Sequence, residues 1–121
     1  MSAKVLVADD SGTMRKIVIR SLNAVGITDV VEAGDGVEAI KAFEENTFNL
    51  VLTDWNMPNK TGLEVIEAIR GQGSTVPIIM ITTESEKRRV LDAIRAGVSD
   101  YLVKPFQAEM LREKLEKFAL A

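Results

Sequence analysis

Carboxylates, hydroxyls and one ammonium close short apolar runs along this chain. Asp9-Asp10 follows Val5 to Ala8, Asp54 follows Leu50 to Thr53, Thr82-Thr83 follows Ile78 to Ile81, and Lys104, with Pro105 after it, follows Tyr101 to Val103. In an open parallel sheet the functional crevice lies beyond the carboxyl ends of the strands, so groups in these places can meet. If the strands run in the order 2-1-3-4-5, Asp9, Asp10 and Asp54 converge from neighbouring strands, and Thr82 and Lys104 arrive from the next two. Three carboxylates and one ammonium leave a formal charge of about −2, which one divalent cation cancels. A hard ion such as Mg²⁺ suits this sparse set, because magnesium takes one or two carboxylates and completes its shell with waters and phosphate oxygens. The implied partner is a phosphoryl group, with an Asp carboxylate as nucleophile and the metal and Lys neutralising the transferred oxygens. Asp54, at the end of the middle strand, is the expected nucleophile. The chain has no His and no Cys, which removes imidazole bases, Ser-His triads, thiolate nucleophiles, disulfides and the usual zinc sites.

The elements that must position these groups follow from the apolar pattern. The four runs above and Val30 to Ala33 predict five short strands. Between them, helical spacing links Met14, Ile17, Val18, Leu22 and Val25; Val37, Ile40 and Phe43; Leu63, Ile66 and Ile69; Val90, Leu91 and Ile94; and Met110, Leu111, Leu115 and Phe118. Runs such as Leu50-Val51-Leu52 and Ile78-Ile79-Met80-Ile81 are apolar on both faces, as a parallel sheet covered by helices on each side requires. The expected fold is therefore a three-layer α/β sandwich. Gly26 and Gly97 suit left-handed helix caps, and Gly71 and Gly73 punctuate the exit of the third helix. A length of 121 residues fits one domain over 1–121, and 46% hydrophobic with 27% charged residues excludes disorder and coiled coils. A net charge of −3 speaks against nucleic acid. No apolar run approaches a membrane span or a signal-peptide core, so the expected location is the cytoplasm.

Together these residues resemble a response-regulator receiver domain. The resemblance is carried in order by Asp9-Asp10, by Thr53-Asp54-Trp55-Asn56-Met57-Pro58 with Gly62 following, by Ile81-Thr82 and by Lys104-Pro105-Phe106, and it covers the whole chain. Asp-Trp-Asn-Met-Pro and Thr13-Met14-Arg15 are most similar to the stand-alone CheY-type chemotaxis regulators. The resemblance implies a flavodoxin-like fold, a five-stranded parallel sheet with five helices, and it is the source of the order 2-1-3-4-5. It further implies that Asp54 accepts a phosphoryl group from a sensor histidine kinase. Asp10, Asp54 and the backbone carbonyl of Asn56 would bind Mg²⁺, with Asp9 acting through metal-bound water. Thr82 would hydrogen-bond the phosphoryl group and Lys104 would pair with it. Thr82 and Tyr101 would form the conformational switch. Asn56, Thr83 and Glu84 would tune how fast water attacks the aspartyl phosphate, and Lys104-Pro105 would be a cis peptide.

The implied output is binding of a target through the face of the fourth helix, fifth strand and fifth helix, where Val90, Tyr101 and Lys114 lie. That target is a flagellar motor switch protein or another protein. A phosphatase joins the partners, and the switch is a monomer with no effector domain and no turnover activity of its own. A phosphorelay intermediate handing its phosphate to a histidine phosphotransfer protein would use the same residues. Taken singly, Asp10 would cap the first helix, Thr82 the fourth, Tyr101 would be half-buried core and Trp55 a surface aromatic; their coincidence at four strand ends favours the common site. The run Lys87-Arg88-Arg89 is expected as a solvated face of the fourth helix. Ser11-Gly12 and Thr83 depart from the commoner family residues, suggesting a looser first-helix start and altered access to the phosphate. An aspartate-nucleophile phosphatase fits less well, since its two acids stand one residue apart rather than adjacent. A flavin carrier would need a phosphate loop that Asp9-Asp10 repels, and the P-loop sequence is absent.

Overall fold

The computed structural model describes residues 3–83, 86 and 89–120. Strands and helices alternate as β1 (Lys4–Ala8), α1 (Gly12–Ala24), β2 (Asp29–Ala33), α2 (Gly36–Glu45), β3 (Leu50–Asp54), α3 (Gly62–Gly71), β4 (Ile78–Thr83), α4 (Val90–Ala96), β5 (Asp100–Lys104) and α5 (Ala108–Lys117). The five strands form one sheet in the order β2-β1-β3-β4-β5. Every neighbouring pair is parallel. The expected flavodoxin-like architecture is thus present, and each strand lies where its apolar run stands, longer by one or two residues at most.

Because side chains alternate across a strand, the sheet sorts its own residues into two cores. Leu6, Ala8, Val51, Ile78 and Met80 pack with Ala39 of α2, Val65, Ile66 and Ile69 of α3 and Ala93 of α4. Val5, Val7, Leu50, Leu52, Ile79, Ile81 and Leu102 pack on the other face with Val18 and Leu22 of α1 and Leu111 and Leu115 of α5. β3 is buried along its whole length, so the carboxyl end of the central strand is held by packing on both sides.

Local chemistry sets the helix ends that frame the site. Ser11, not Asp10, caps α1: its hydroxyl accepts from the Met14 backbone N–H at 3.1 Å, which leaves the Asp10 carboxylate outside the capping bonds. Asp35 caps α2, its Oδ1 accepting from Glu38 N–H at 2.7 Å. Thr61 and Glu64 form a reciprocal capping box at α3. Gly26 and Gly97 adopt φ of 90° and 109°, the left-handed geometry expected of them.

One stripe differs from expectation. On α4, Val90 and Ala93 face the core, whereas Leu91 and Ile94 are 56% and 54% exposed. Val90, Leu91 and Ile94 are all apolar, so spacing in a seven-residue helix cannot choose between two adjacent faces; contact with α3 and the sheet chooses Val90 and Ala93. Ile17, Val37 and Met110, counted in the stripes of α1, α2 and α5, are also exposed. No helix among the described residues is long and apolar enough to cross a membrane.

Two glycines of α3 give a direct test of this packing. A Cβ at Gly62 would lie 2.2 Å from the Asp54 carbonyl oxygen, while one at Gly71 meets nothing within 4 Å. Gly62→Ala should therefore cost about 1–3 kcal/mol of stability, and Gly71→Ala should gain about 0.4–1 kcal/mol. Urea unfolding of the two variants beside the parent chain measures both signs.

Candidate functional site

The sheet brings the predicted groups to its carboxyl edge by parity. Asp9 continues the alternation of Val5 and Val7, Asp54 that of Leu50 and Leu52, Thr83 that of Ile79 and Ile81, and Lys104 that of Leu102, so all four fall on the α1/α5 side. Thr82 continues Ile78 and Met80 on the opposite side, where Tyr101 also packs. β1 and β3 are neighbours, which sets Asp9 beside Asp54. One oxygen each from Asp9, Asp10 and Asp54 lie within 4.8 Å of one another.

Asp9 and Asp54 are buried, at 2% and 6% exposure, whereas Asp10 is exposed. The Lys104 ammonium bridges the two buried acids, 3.2 Å from Asp9 Oδ2 and 3.4 Å from Asp54 Oδ1. Backbone N–H groups hold the remaining directions: Ser11 donates to Asp9 Oδ1 at 2.9 Å and Trp55 donates to Asp54 Oδ1 at 2.8 Å. Arg15 donates to the Asp9 carbonyl oxygen at 2.6 Å and to Glu32 Oε1 at 2.9 Å, tying α1 to the ends of β1 and β2.

Burial pushes the Asp54 carboxyl up to about 6; the Lys104 charge pulls it down, and the Asp9 charge raises it again. Burial works against the Lys104 charge, but Asp54 and Asp9 outweigh it and raise the lysine above its usual value. One ammonium thus leaves two buried carboxylates and the adjacent Asp10 undercompensated. That donor set, all oxygen and excess negative, fits a hard divalent cation such as Mg²⁺.

The other predicted residues surround this centre. Thr82 is buried and its hydroxyl donates to the Thr83 carbonyl oxygen at 3.4 Å. Thr83 and Lys104 pair in register at the ends of β4 and β5, and both line an open groove completed by Met14, Ile17, Pro105 and Phe106. Lys104-Pro105 is cis. Trp55 is buried rather than a surface aromatic. Tyr101 is half-buried against the α2–α4 core, with the Lys114 ammonium 5.6 Å from its ring centre. Val90 is buried, so of the predicted partner-face residues it presents the least surface. Glu84, Lys87 and Arg88 lie outside the described residues.

Three contributors were not legible beforehand. Glu86 accepts from the Thr83 hydroxyl at 2.9 Å and from the Asn56 side-chain amide; its spacing three residues after Thr83 was the available signal. Arg89, expected on a solvated face, stands at the start of α4 with its guanidinium 5.6 Å from the Trp55 ring centre. Asp100 accepts from Lys114 at 3.0 Å and Lys117 at 2.7 Å. Burial alone would raise the Asp100 carboxyl, but those lysines and the Tyr101 N–H hold it below the usual value.

The Asp54 shift predicts a stability change. Its pKa is raised from 3.8 to about 6 in the folded chain, so the folded state holds the proton more tightly and loses stability as pH climbs between those values. With chelator at pH 7, Asp54→Asn should therefore stabilise the protein by about 1–3 kcal/mol. The gain should fade toward pH 4, and Mg²⁺ should raise Tm of the parent far more than of the variant; thermal unfolding at several pH values measures all three.

Residues 5–116 match the family described as response regulator receiver domain. The chain is 48% identical over 116 residues to chemotaxis protein CheY1 of Helicobacter pylori, covering 93% of this chain and 94% of that one. It is 40% identical over 116 residues to chemotaxis protein CheY of Pseudomonas aeruginosa, covering 94% of each. Its backbone is similar to that of the chemotaxis response regulator CheY4 of Vibrio cholerae, with a TM-score of 0.89 at 36% identity over 98% of this chain and 99% of that one. A match that runs through all five strands and reaches every strand end carrying a charged or hydroxyl group leads to one assignment: the chain belongs to the response regulator receiver domain family of two-component signalling, among its CheY-like chemotaxis members.

Proposed function

We propose that this protein is a phosphorylation-activated switch in which Asp54 takes a phosphoryl group from a sensor histidine kinase. The observation that carries the reading is the Lys104 ammonium lying 3.2 Å from Asp9 and 3.4 Å from Asp54 at the mouth of a buried, undercompensated acid cluster. An Asp54 oxygen attacks phosphorus, the P–N bond to the kinase imidazole breaks, and the nitrogen keeps the electron pair. Lys104 then pairs with the new phosphoryl oxygens. Asp10, Asp54 and the Asn56 backbone carbonyl would hold Mg²⁺, with Asp9 acting through water. When bound, the ion neutralises charge on the phosphoryl oxygens.

The readout follows from the second face of the sheet. Thr82 and Tyr101 sit on the α4 side, so a phosphoryl group that draws the Thr82 hydroxyl toward Asp54 shifts a pre-existing equilibrium in which Tyr101 turns inward. The partner face is α4, β5 and α5, with Val90, Tyr101 and Lys114. The named relatives are chemotaxis proteins, which supports a flagellar motor switch protein as target and the cytoplasm as location. Asn56, Thr83 and Glu84 tune water attack on the aspartyl phosphate; a phosphatase would speed that attack. The protein acts as a monomeric switch and not as a turnover enzyme. Transfer onward to a histidine phosphotransfer protein would use the same chemistry, and pulldown of the phosphorylated chain against both partner types separates the two.

Intact mass after incubation with acetyl phosphate tests the acceptor. The parent should gain one phosphoryl group, Asp54→Asn none, and chelation of Mg²⁺ should slow the gain by about a hundredfold or more. A gain on Asp54→Asn equal to that of the parent overturns Asp54 as acceptor. Lys104→Ala should still be phosphorylated but should not switch. Tyr101→Ala should load normally and bind the target about tenfold more weakly; titration of loaded variants with the target measures both, and normal switching by Lys104→Ala contradicts its role.

A further inference from the structure

Glu86, between β4 and α4, is bonded to one side chain from the connection that follows Asp54 and to one from the end of β4. Its Oε1 accepts from the Thr83 hydroxyl at 2.9 Å, and its Oε2 accepts from the side-chain amide of Asn56. Asn56 stands two residues after Asp54 on the connection to α3, and Thr83 pairs in register with Lys104 at the end of β4. The carboxylate therefore spans the gap between the β3–α3 connection and β4. It occupies two hydrogen-bond donors, one two residues after the proposed phosphoacceptor and one paired in register with Lys104. Both donors are neutral, so they fix the carboxylate without cancelling its charge. That charge adds to a cluster whose formal sum over Asp9, Asp10, Asp54 and Lys104 is already about −2, and an approaching phosphodonor is itself an anion.

We propose that Glu86 is a latch on the Asp54 pocket: in the unloaded protein it ties Asn56 to Thr83, and its charge and its hold on both donors restrain loading by anionic phosphodonors. The inference rests on Asp54 being the phosphoacceptor. Loading from acetyl phosphate joins an Asp54 oxygen to phosphorus and breaks the P–O bond to the acetyl group, so acetate leaves with the electron pair and no proton is transferred. For that to occur the latch opens, and the Asn56 amide and Thr83 hydroxyl are released toward the incoming phosphoryl oxygens. Glu86 acts here as a positioning and selectivity residue, since it touches the groups that meet the donor rather than the reacting atoms.

The test is the rate of phosphoryl gain, followed by intact mass at saturating Mg²⁺, for the parent, Glu86→Gln and Glu86→Ala. Two donors are used: acetyl phosphate, a dianion at neutral pH, and phosphoramidate, which carries one negative charge fewer. Glu86→Ala should load from acetyl phosphate about three- to tenfold faster, the size expected of one partly exposed charge. Glu86→Gln, neutral yet still able to accept from Asn56 and Thr83, should fall between. The gain should be smaller with phosphoramidate and should shrink as salt is added, which a purely structural role would not produce. Added to Glu86→Ala, Thr83→Ala should give less than its own separate effect, because both break one bond. Equal or slower loading of Glu86→Ala with a parent-like Tm overturns the latch while leaving Asp54 as acceptor. A parent chain that takes no phosphoryl group overturns the acceptor reading, and the latch falls with it.

Discussion

Two carboxylates buried side by side at the end of a sheet are stable only if a cation reaches them, and in this protein Lys104 is that cation. It lies on β5 while Asp54 lies on β3, with β4 between. Strands are spaced roughly 4.8 Å apart, so the gap between β3 and β5 is roughly 10 Å, and a long side chain is needed to cover most of it. The contacts of 3.2 and 3.4 Å to Asp9 and Asp54 depend on the strand order, on Lys104 standing on the same face as both acids, and on the burial of β3 along its whole length. One ammonium does not neutralise the cluster. Burial leaves the Asp54 carboxyl near 6 despite the lysine, and this residual imbalance fits a hard divalent cation.

The sheet separates the acid cluster from Tyr101 and α4. Asp9, Asp54, Thr83 and Lys104 fall on the α1/α5 side, whereas Thr82 and Tyr101 fall on the side covered by α2, α3 and α4. Adjacent residues at the end of β4 thus belong to different faces. Asp100 and α5 brace the second face: Asp100 holds Lys114 and Lys117, and Lys114 in turn stands over the Tyr101 ring. Arg70 secures the far end of α4, donating to the Gly97 carbonyl at 2.9 Å and to the Val76 carbonyl at 2.7 Å. The start of α4 meets the β3–α3 connection through Arg89 and Trp55. α4 is therefore held at both ends by side chains from other elements, while its Leu91 and Ile94 face outward.

Strand and helix existence, the parallel character of the sheet and the acid, hydroxyl and lysine endings were all legible in the residues, because each is written in local pattern. Apolar runs bounded by Asp, Thr and Lys need only neighbouring positions to be recognised. The strand order came from family resemblance. Convergence of Asp9, Asp10 and Asp54 follows from that order, since no local rule says which strands adjoin. The contacts of Glu86, Arg89 and Asp100 are not written in local pattern for a related reason: each acts on a residue brought near by the fold, Asn56, Trp55 and Lys114 respectively, and a charged residue in a loop or at an element's end reads locally as solvated.

Residue types narrowed the kinds of chemistry open to this protein: without His or Cys, only carboxylates, hydroxyls and Lys could act, and their places at strand ends pointed to phosphoryl transfer. Tertiary structure alone decided which groups share a charge balance and which do not. It buried Asp9 and Asp54 side by side at the ends of neighbouring strands while leaving Asp10 to solvent, because successive residues leave a strand on opposite faces. It chose Val90 and Ala93 over Leu91 and Ile94 as the inner face of α4, because a short helix takes its orientation from what it packs against. Composition sets what a residue can do, but pKa, exposure and partner are properties of distance and dielectric, and these arise only when remote segments meet.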